Sequence, residues 1–146
     1  MHKVAGSELG EDSDDLRNWL EGLTGCPSVN LTLLARCDNP AHGDENMTWF
    51  YVEADAANAV ARRRCLACGQ VHHVLDSEQS WTHPPMHACT TCGQSMFEVA
   101  YGLHVEHGTT VTWLAVGVRC VGCGTLDGVT DMNVPSLSVD EVRAAL

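Results

Sequence analysis

Three copies of the pattern Cys-x-x-Cys-Gly occur in this sequence, beginning at Cys65, Cys89 and Cys120. Two thiols separated by two residues form a tight turn, called a knuckle below, in which both sulfurs point into one cavity. The glycine that follows permits the positive φ that the turn needs. A further half-site, Cys37 with His42, precedes all three. Four half-sites of thiol and imidazole donors are enough for two metal centres with four ligands each, the arrangement that zinc takes in structural sites.

The order of the half-sites along the chain suggests how they pair. We predict two Zn²⁺ sites: site 1 with ligands Cys37, His42, Cys65 and Cys68, and site 2 with ligands Cys89, Cys92, Cys120 and Cys123. The spacing in Cys37-x4-His42 is longer than in a knuckle. Cys26 could therefore replace His42 and complete a four-cysteine site. We favour His42 because it lies on the same short loop as Cys37 and closing that loop costs less entropy.

An internal repeat strengthens the metal hypothesis. Residues 64–76 align without a gap to residues 119–131, and Arg, both Cys, Gly, one Val and the final Asp coincide. A single Cys-x-x-Cys is weak evidence, whereas two copies in a matching context of thirteen residues are specific. The alternative is a set of disulfides. Residues 1–15 are polar and acidic and lack the apolar stretch of a signal peptide, which favours metal over disulfides.

Composition limits the functions that the chain can have. The longest apolar run, Trp113 to Val118, is far too short to span a bilayer, so we expect a cytoplasmic protein. The formal net charge is −11. The metal-bound state is more negative still, because the ligating thiolates add more negative charge than two Zn²⁺ ions remove. An acidic surface repels phosphate and loses the counterion release that drives nucleic-acid binding. The only basic cluster is Arg62, Arg63 and Arg64, which we interpret first as a strand flank and alternatively as a contact for a partner.

Hydrophobic patterning places these motifs on strands. We expect strands at residues 29–35, 48–52, 59–64, 70–75, 95–106, 110–119 and 125–130. The alanines between residues 53 and 63 leave a helix open as an alternative there. Phe97, Val99, Tyr101, Leu103 and Val105 alternate, as in a strand with one buried face. Residues 107–109 form the turn to the next strand.

Two short helices are expected at the ends of the chain. Ser13 is the predicted N-cap of the first helix, which carries an apolar stripe at helical spacing composed of Leu16, Trp19, Leu20 and Leu23. This stripe either packs on the first strands or docks into the groove of a partner. Residues 138–141 form a capping box that predicts a helix over residues 139–146.

The succession of knuckle, hairpin, knuckle and third strand, repeated twice, resembles tandem zinc ribbons. The resemblance implies a small β-rich, metal-stabilised fold in which the six knuckle cysteines bind zinc; the half-site Cys37-x4-His42 departs from its pattern. The domain prediction is an acidic tail with a short amphipathic helix (1–28), ribbon 1 (29–76), a linker (77–85), ribbon 2 (86–131) and a C-terminal helix (132–146).

A closed four-ligand site has no position for substrate, so we expect a non-enzymatic adaptor or regulator. Zinc ribbons occur in RNA polymerase subunits, transcription factors and ribosomal proteins, which suggests a protein or ribonucleoprotein partner of the transcription or translation machinery. The candidate partner contacts are the turn at 107–109, the three arginines and the apolar helix. Two alternatives stay open: direct nucleic-acid binding, and electron transfer at a rubredoxin-like iron site formed by residues 89–124.

Overall fold

The computed structural model describes residues 2–4, 7–23, 27–43 and 47–146, and the account below concerns these residues alone. They contain short helices and a preponderance of strands. The elements are β1 His2–Val4, β2 Ser7–Leu9, α1 Ser13–Glu21, β3 Leu31–Leu34, β4 Phe50–Asp55, β5 Val60–Cys65, β6 Val71–His73, β7 Phe97–Glu106, β8 Thr110–Cys120, β9 Leu126–Ser138 and α2 Val139–Ala144. The strand prediction for residues 59–64 is confirmed, and the helical alternative there is wrong.

One antiparallel sheet of seven strands contains both halves of the chain. Its order is β6-β5-β4-β7-β8-β9, and β3 also pairs with β7. The register of β3 on β7 runs from Leu31 opposite Leu103 to Leu34 opposite Ala100. Strand β4 joins β7 at Phe50 opposite Phe97. Strand β7 therefore connects the half that contains the first two half-sites to the half that contains the last two.

The central strand β7 is buried on both faces, not on one as the alternation predicts. Val99, Tyr101 and Leu103 face the main core together with side chains of β4, β5, β8 and β9. Ala100, on the opposite face, packs in a second cluster with Leu16 and Leu20 of α1. The helix covers the face that the pattern left to solvent, because the small residues of β7 and β8 allow it to approach closely.

Two glycines permit close packing on this face of the sheet, one against α1 and one against Val29. A Cβ at Gly117 would lie 2.9 Å from Cδ2 of Leu20, and one at Gly102 would lie 2.9 Å from Cγ2 of Val29. Contacts this short do not occur between carbon atoms without a shift of the neighbours. The absence of a side chain at both positions is therefore a packing requirement of this face of the sheet.

The N-terminal segment, expected as an acidic tail before the first helix, is partly structured. Residues of β1 and β2 pair as a two-stranded antiparallel ribbon. The guanidinium of Arg119 then donates from Nε to the carbonyl of Gly10 (2.7 Å) and from Nη2 to the carbonyl of Glu11 (2.8 Å). The amide of Gly10 donates to the carbonyl of Gly124 at 2.8 Å. These backbone contacts hold the segment beside the last knuckle. Helix α1 begins one residue earlier than predicted, since Asp12 is its N-cap.

The last strand is longer than expected. Strand β9 continues to Ser138, whereas the sequence predicted a strand that ends at residue 130 and a C-terminal unit from residue 132. Pairing with β8 continues to Trp113 opposite Asn133. After an irregularity it resumes at Val111 opposite Leu137 and ends at Thr110 opposite Ser138. Met132 and Val134 are buried there, which is why the chain stays extended. The predicted capping box is present at Ser138 and Glu141, and α2 follows it. Among the described residues, no helix has the length and apolar character needed to cross a membrane.

Candidate metal centres

The three knuckles have the same backbone structure. In each, the amide of the first cysteine donates to the carbonyl five residues later, and the amide of the glycine donates back to the carbonyl of that cysteine. The three glycines, Gly69, Gly93 and Gly124, have φ of 78°, 77° and 82°. This conformation is costly for residues with a Cβ. The sequence pattern therefore specifies each turn locally, as predicted.

The fourth half-site is built differently. Cys37 pairs with Met47 through two backbone hydrogen bonds of 2.7 and 3.1 Å. A single 3-10 turn, Pro40–His42, follows Asn39, whose Oδ1 accepts from the amide of Ala41. Nδ2 of the same Asn39 side chain lies 3.5 Å from the sulfur of Cys68. Asn39 thus caps the turn that carries His42 and also contacts the facing knuckle.

In site 1 the structure brings together Cys37, His42, Cys65 and Cys68, whose donor atoms all lie within 4.8 Å of one another. The sulfurs of Cys37 and Cys68 are 3.7 Å apart. Nε2 of His42 is 3.5 Å from the sulfur of Cys65. Cys26, the alternative to His42, lies outside the described residues.

In site 2 the structure brings together Cys89, Cys92, Cys120 and Cys123 under the same 4.8 Å limit. The sulfurs of Cys89 and Cys123 are 3.6 Å apart, as are those of Cys92 and Cys120. Each close pair joins the two facing knuckles. The cysteines are free thiols in both sites.

These separations fit a tetrahedral zinc ion. With Zn–S bonds of about 2.3 Å, two sulfurs at tetrahedral angles lie about 3.8 Å apart. With a Zn–N bond of about 2.0 Å, the sulfur and the nitrogen lie about 3.5 Å apart. The distances of 3.5 to 3.7 Å in the two clusters match both values. The donor set of seven thiols and one imidazole is also one that zinc accepts. Both clusters can therefore hold a metal ion.

The surroundings of the sulfurs favour different protonation states within each site. Burial raises the pKa of Cys37 to about 11 and that of Cys120 to about 12. The amide of Gln70 donates to the sulfur of Cys68 and is the main reason that its pKa falls to about 7. Burial opposes ionisation of Cys89, yet backbone amides of Cys92 and Thr91 outweigh it and lower its pKa to about 6. Each site thus contains one thiol with a lowered pKa, and metal binding requires its thiol ligands to be deprotonated.

Both sites lie where the core meets the surface. Cys37, Cys65, Cys89 and Cys120 are buried and belong to the main core cluster. The second cysteine of each knuckle, by contrast, is half-buried or exposed. Each knuckle therefore has its first cysteine in the core and its second cysteine closer to solvent.

The structure places the three arginines of the basic cluster in different environments. Arg62 forms an ion pair with Glu53 (2.9 Å) and lies over the ring of Trp81. Arg63 is only 5 % exposed and donates from Nε to the hydroxyl of Tyr101 at 3.1 Å. Arg64 is half-buried on the other side of the strand. Arg63 is consequently not accessible to a macromolecular partner at the outer surface.

The four residues of the apolar stripe on α1 also differ in burial. Leu16 and Leu20 are buried against the sheet, so in this structure they are not free to contact a partner. Trp19 and Leu23 are partly buried at the margin of the same cluster. Of the other candidate contacts, the turn at residues 107–109 is exposed.

Several residues around the sulfurs were not identified from the sequence. Oε1 of Gln70 lies 3.9 Å from the sulfur of Cys37, and Oγ1 of Thr125 lies 3.1 Å from that of Cys123. Arg119, by its contacts with Gly10 and Glu11, holds the N-terminal segment next to site 2. Gln70 and Thr125 occupy equivalent positions in the repeat, directly after the glycine of a knuckle. That shared position could have identified both as residues next to a metal site.

Comparisons with protein-family models, with curated proteins and with solved structures gave no match for this chain. The interpretation of the two clusters therefore depends on the residues and distances described above.

Proposed function

We propose that this protein binds two Zn²⁺ in closed structural sites and acts as a non-enzymatic adaptor for a macromolecular partner. The observation that carries the proposal is the arrangement of donors: in each cluster, four side chains from two facing chain segments lie within 4.8 Å of one another. Four protein ligands complete a tetrahedral site and leave no position for a substrate or water. Zinc so bound stabilises a fold, because binding free energy becomes folding free energy.

The chain between the half-sites supports the interpretation as two ribbons that share one sheet. The hairpin β4–β5 lies between the half-sites of site 1, and the hairpin β7–β8 lies between those of site 2. Strands β6 and β9 follow the last knuckle of each site. This is the order of elements in a zinc ribbon, with residues 29–76 and 86–131 as the two units.

The adaptor role depends on the surfaces that this scaffold presents. Trp49 is 42 % exposed, and its carbonyl accepts a hydrogen bond from Leu66 in the first knuckle. The hairpin turn at residues 107–109 is exposed at the other end of β7. An exposed tryptophan hydrogen-bonded through its backbone to a knuckle is a candidate for a contact residue, because tryptophan is enriched among residues that dominate binding energy. The acidic net charge of −11 favours a basic partner through steering. We propose the transcription or translation machinery as the source of this partner, because the order of elements resembles that of zinc ribbons.

The metal part is tested by elemental analysis of protein purified without added metal and without an affinity tag that binds metal. We expect close to two zinc per chain and no visible absorption. Iron in site 2, with the red colour of an oxidised iron–thiolate centre, would instead favour the electron carrier.

The adaptor part is tested by recovering the tagged protein from its native host, with and without nuclease, and identifying the co-purified proteins by mass spectrometry. The variants Trp49→Ala and His107→Ala are run beside the wild type, since they alter two separate surfaces without touching a metal ligand. We expect a defined partner that survives nuclease and is depleted by at least one variant. A partner lost on nuclease treatment would favour direct nucleic-acid binding, and the absence of any specific partner would contradict the adaptor role.

A further inference from the structure

We propose that a cleft between the C-terminal helix, strand β5 and the segment around β3 binds a small phosphorylated ligand. The cleft has a volume of about 370 Å³, and four of its lining residues are arginines: Arg17, Arg36, Arg63 and Arg143. None of the candidate metal ligands lines it. The proposal goes beyond the adaptor function and does not depend on it.

The concentration of positive charge in the cleft is unusual for this chain. The whole sequence contains eight lysines and arginines against nineteen acidic residues, and half of these cations line one cleft. They come from four separate places in the chain: α1, the segment after β3, β5, and α2. Like charges brought together by the fold repel one another, so an anion between them would relieve that repulsion.

Arg63 supplies the buried side of the site. Its Nε donates to Tyr101 and its Nη2 to a terminal carboxylate oxygen of Leu146 at 3.0 Å, while the guanidinium lies over the ring of Phe50, 4.7 Å from the centroid. Its Nη1 is buried and has no hydrogen-bond partner among the described residues. Leaving a buried charged donor without a partner is costly. A ligand oxygen in the cleft would provide the missing acceptor.

The carboxylates near the cleft offset only part of its positive charge. The terminal carboxylate of Leu146 accepts from Arg63 and offsets one of the four arginines. The carboxylate of Asp14 is 3.9 Å from Arg17, but its side chain is 77 % exposed, and such a pair is weak in water. Glu21 accepts a hydrogen bond from Thr32, which lines the cleft. Arg36 and Arg143 are exposed and form no ion pair within the part of the chain that the structure describes. Both are therefore available to an incoming anion.

The chemistry of the lining favours a phosphate ester over a simple ion. Arginine binds phosphate oxygens through two parallel N–H donors, and a phosphate monoester carries close to two negative charges at neutral pH. The volume falls in the lower part of the range for small-molecule sites and exceeds what one phosphate group fills. Leu33, Leu34 and Leu146 provide apolar walls for an organic group attached to the phosphate.

The test is isothermal titration calorimetry of the zinc-loaded full chain with phenyl phosphate, inorganic phosphate and benzoate, at a pH of about 7.5, where the phosphate ester is a dianion. Zinc content is measured before and after, so that removal of metal is recognised. We expect saturable binding of one phenyl phosphate per chain, weaker binding of inorganic phosphate, and still weaker binding of benzoate, which carries one charge and no phosphate.

The variants Arg36→Gln and Arg143→Gln each remove one exposed charge of the cleft, and Arg64→Gln removes the same charge from the other side of β5. We expect each cleft variant to weaken phenyl phosphate binding by about tenfold or more, as for loss of a charged hydrogen bond. The control should stay within about twofold of wild type. The proposal is overturned if the wild type shows no saturable binding at millimolar ligand, if benzoate binds as tightly as phenyl phosphate, or if Arg64→Gln weakens binding as much as the cleft variants.

Discussion

At the residue scale, each metal centre depends on individual donor atoms. His42 presents Nε2 to the sulfur of Cys65 at 3.5 Å, a separation suited to a shared zinc ion. We predict that His42→Ala and Cys120→Ser each reduce the zinc content from two to one per chain. An incomplete site forfeits much of a binding free energy that is on the order of 10 kcal/mol for a whole site. Elemental analysis and thermal unfolding measure both effects.

The matched control is Cys26→Ser, which removes the alternative fourth ligand of site 1, the one cysteine that is not among the eight predicted ligands. We expect it to retain two zinc ions. If Cys26→Ser loses a zinc while His42→Ala retains both, Cys26 is the fourth ligand of site 1. Full metal content and an unchanged melting curve in Cys120→Ser would contradict the composition of site 2.

Arg63 is a structural residue as well as a candidate ligand contact. Its guanidinium lies over the ring of Phe50, and its Nε is the donor to the buried hydroxyl of Tyr101. We predict that Arg63→Ala lowers the free energy of unfolding by about 1–3 kcal/mol or more, because the Tyr101 hydroxyl loses its partner. Arg64→Ala, one residue along the strand, should change it far less. Urea denaturation compares the two, and equal stabilities would contradict this role of Arg63.

At the element scale, the close approach of α1 to β8 depends on Gly117. A methyl group there would lie 2.9 Å from the buried side chain of Leu20. We predict that Gly117→Ala lowers the free energy of unfolding by about 1–3 kcal/mol through overpacking. Gly128→Ala is the control, since Gly128 pairs with Gly117 across the strands and its added methyl would meet only Cη2 of Trp19, at 3.8 Å. If urea denaturation shows equal effects of the two substitutions, α1 can shift enough to accommodate a methyl group at residue 117, and the prediction is wrong.

At the scale of the whole molecule, both candidate metal clusters are attached to strands of one sheet. Strand β7 follows a knuckle of site 2, and it pairs with β3, which precedes Cys37 of site 1. We predict that the zinc-loaded protein unfolds in one transition, seen at the same temperature by circular dichroism and by tryptophan fluorescence. His42→Ala and Cys120→Ser should both lower that single midpoint. Two separated transitions, each lowered by only one variant, would indicate two independent ribbons.

The sequence by itself determined the features that depend on short stretches of chain. The three knuckles follow from the spacing of two cysteines and a glycine, because the turn is closed by hydrogen bonds within six residues. The capping box at Ser138 and the hairpin between residues 97 and 120 are local for the same reason. The grouping of half-sites into two clusters could also be predicted, since each cluster joins successive segments around one hairpin.

Only the tertiary structure decided which strands and side chains meet across long separations in the chain. The sequence did not reveal that β3 adds to β7, because strand pairing depends on packing of both faces and not on pattern alone. For the same reason the burial of Arg63 and the anchoring of the N-terminal segment by Arg119 were not foreseen. The cleft is the strongest case: Arg17, Arg36, Arg63 and Arg143 are up to 126 positions apart in the chain and meet only because α1, β3, β5 and α2 pack around one sheet.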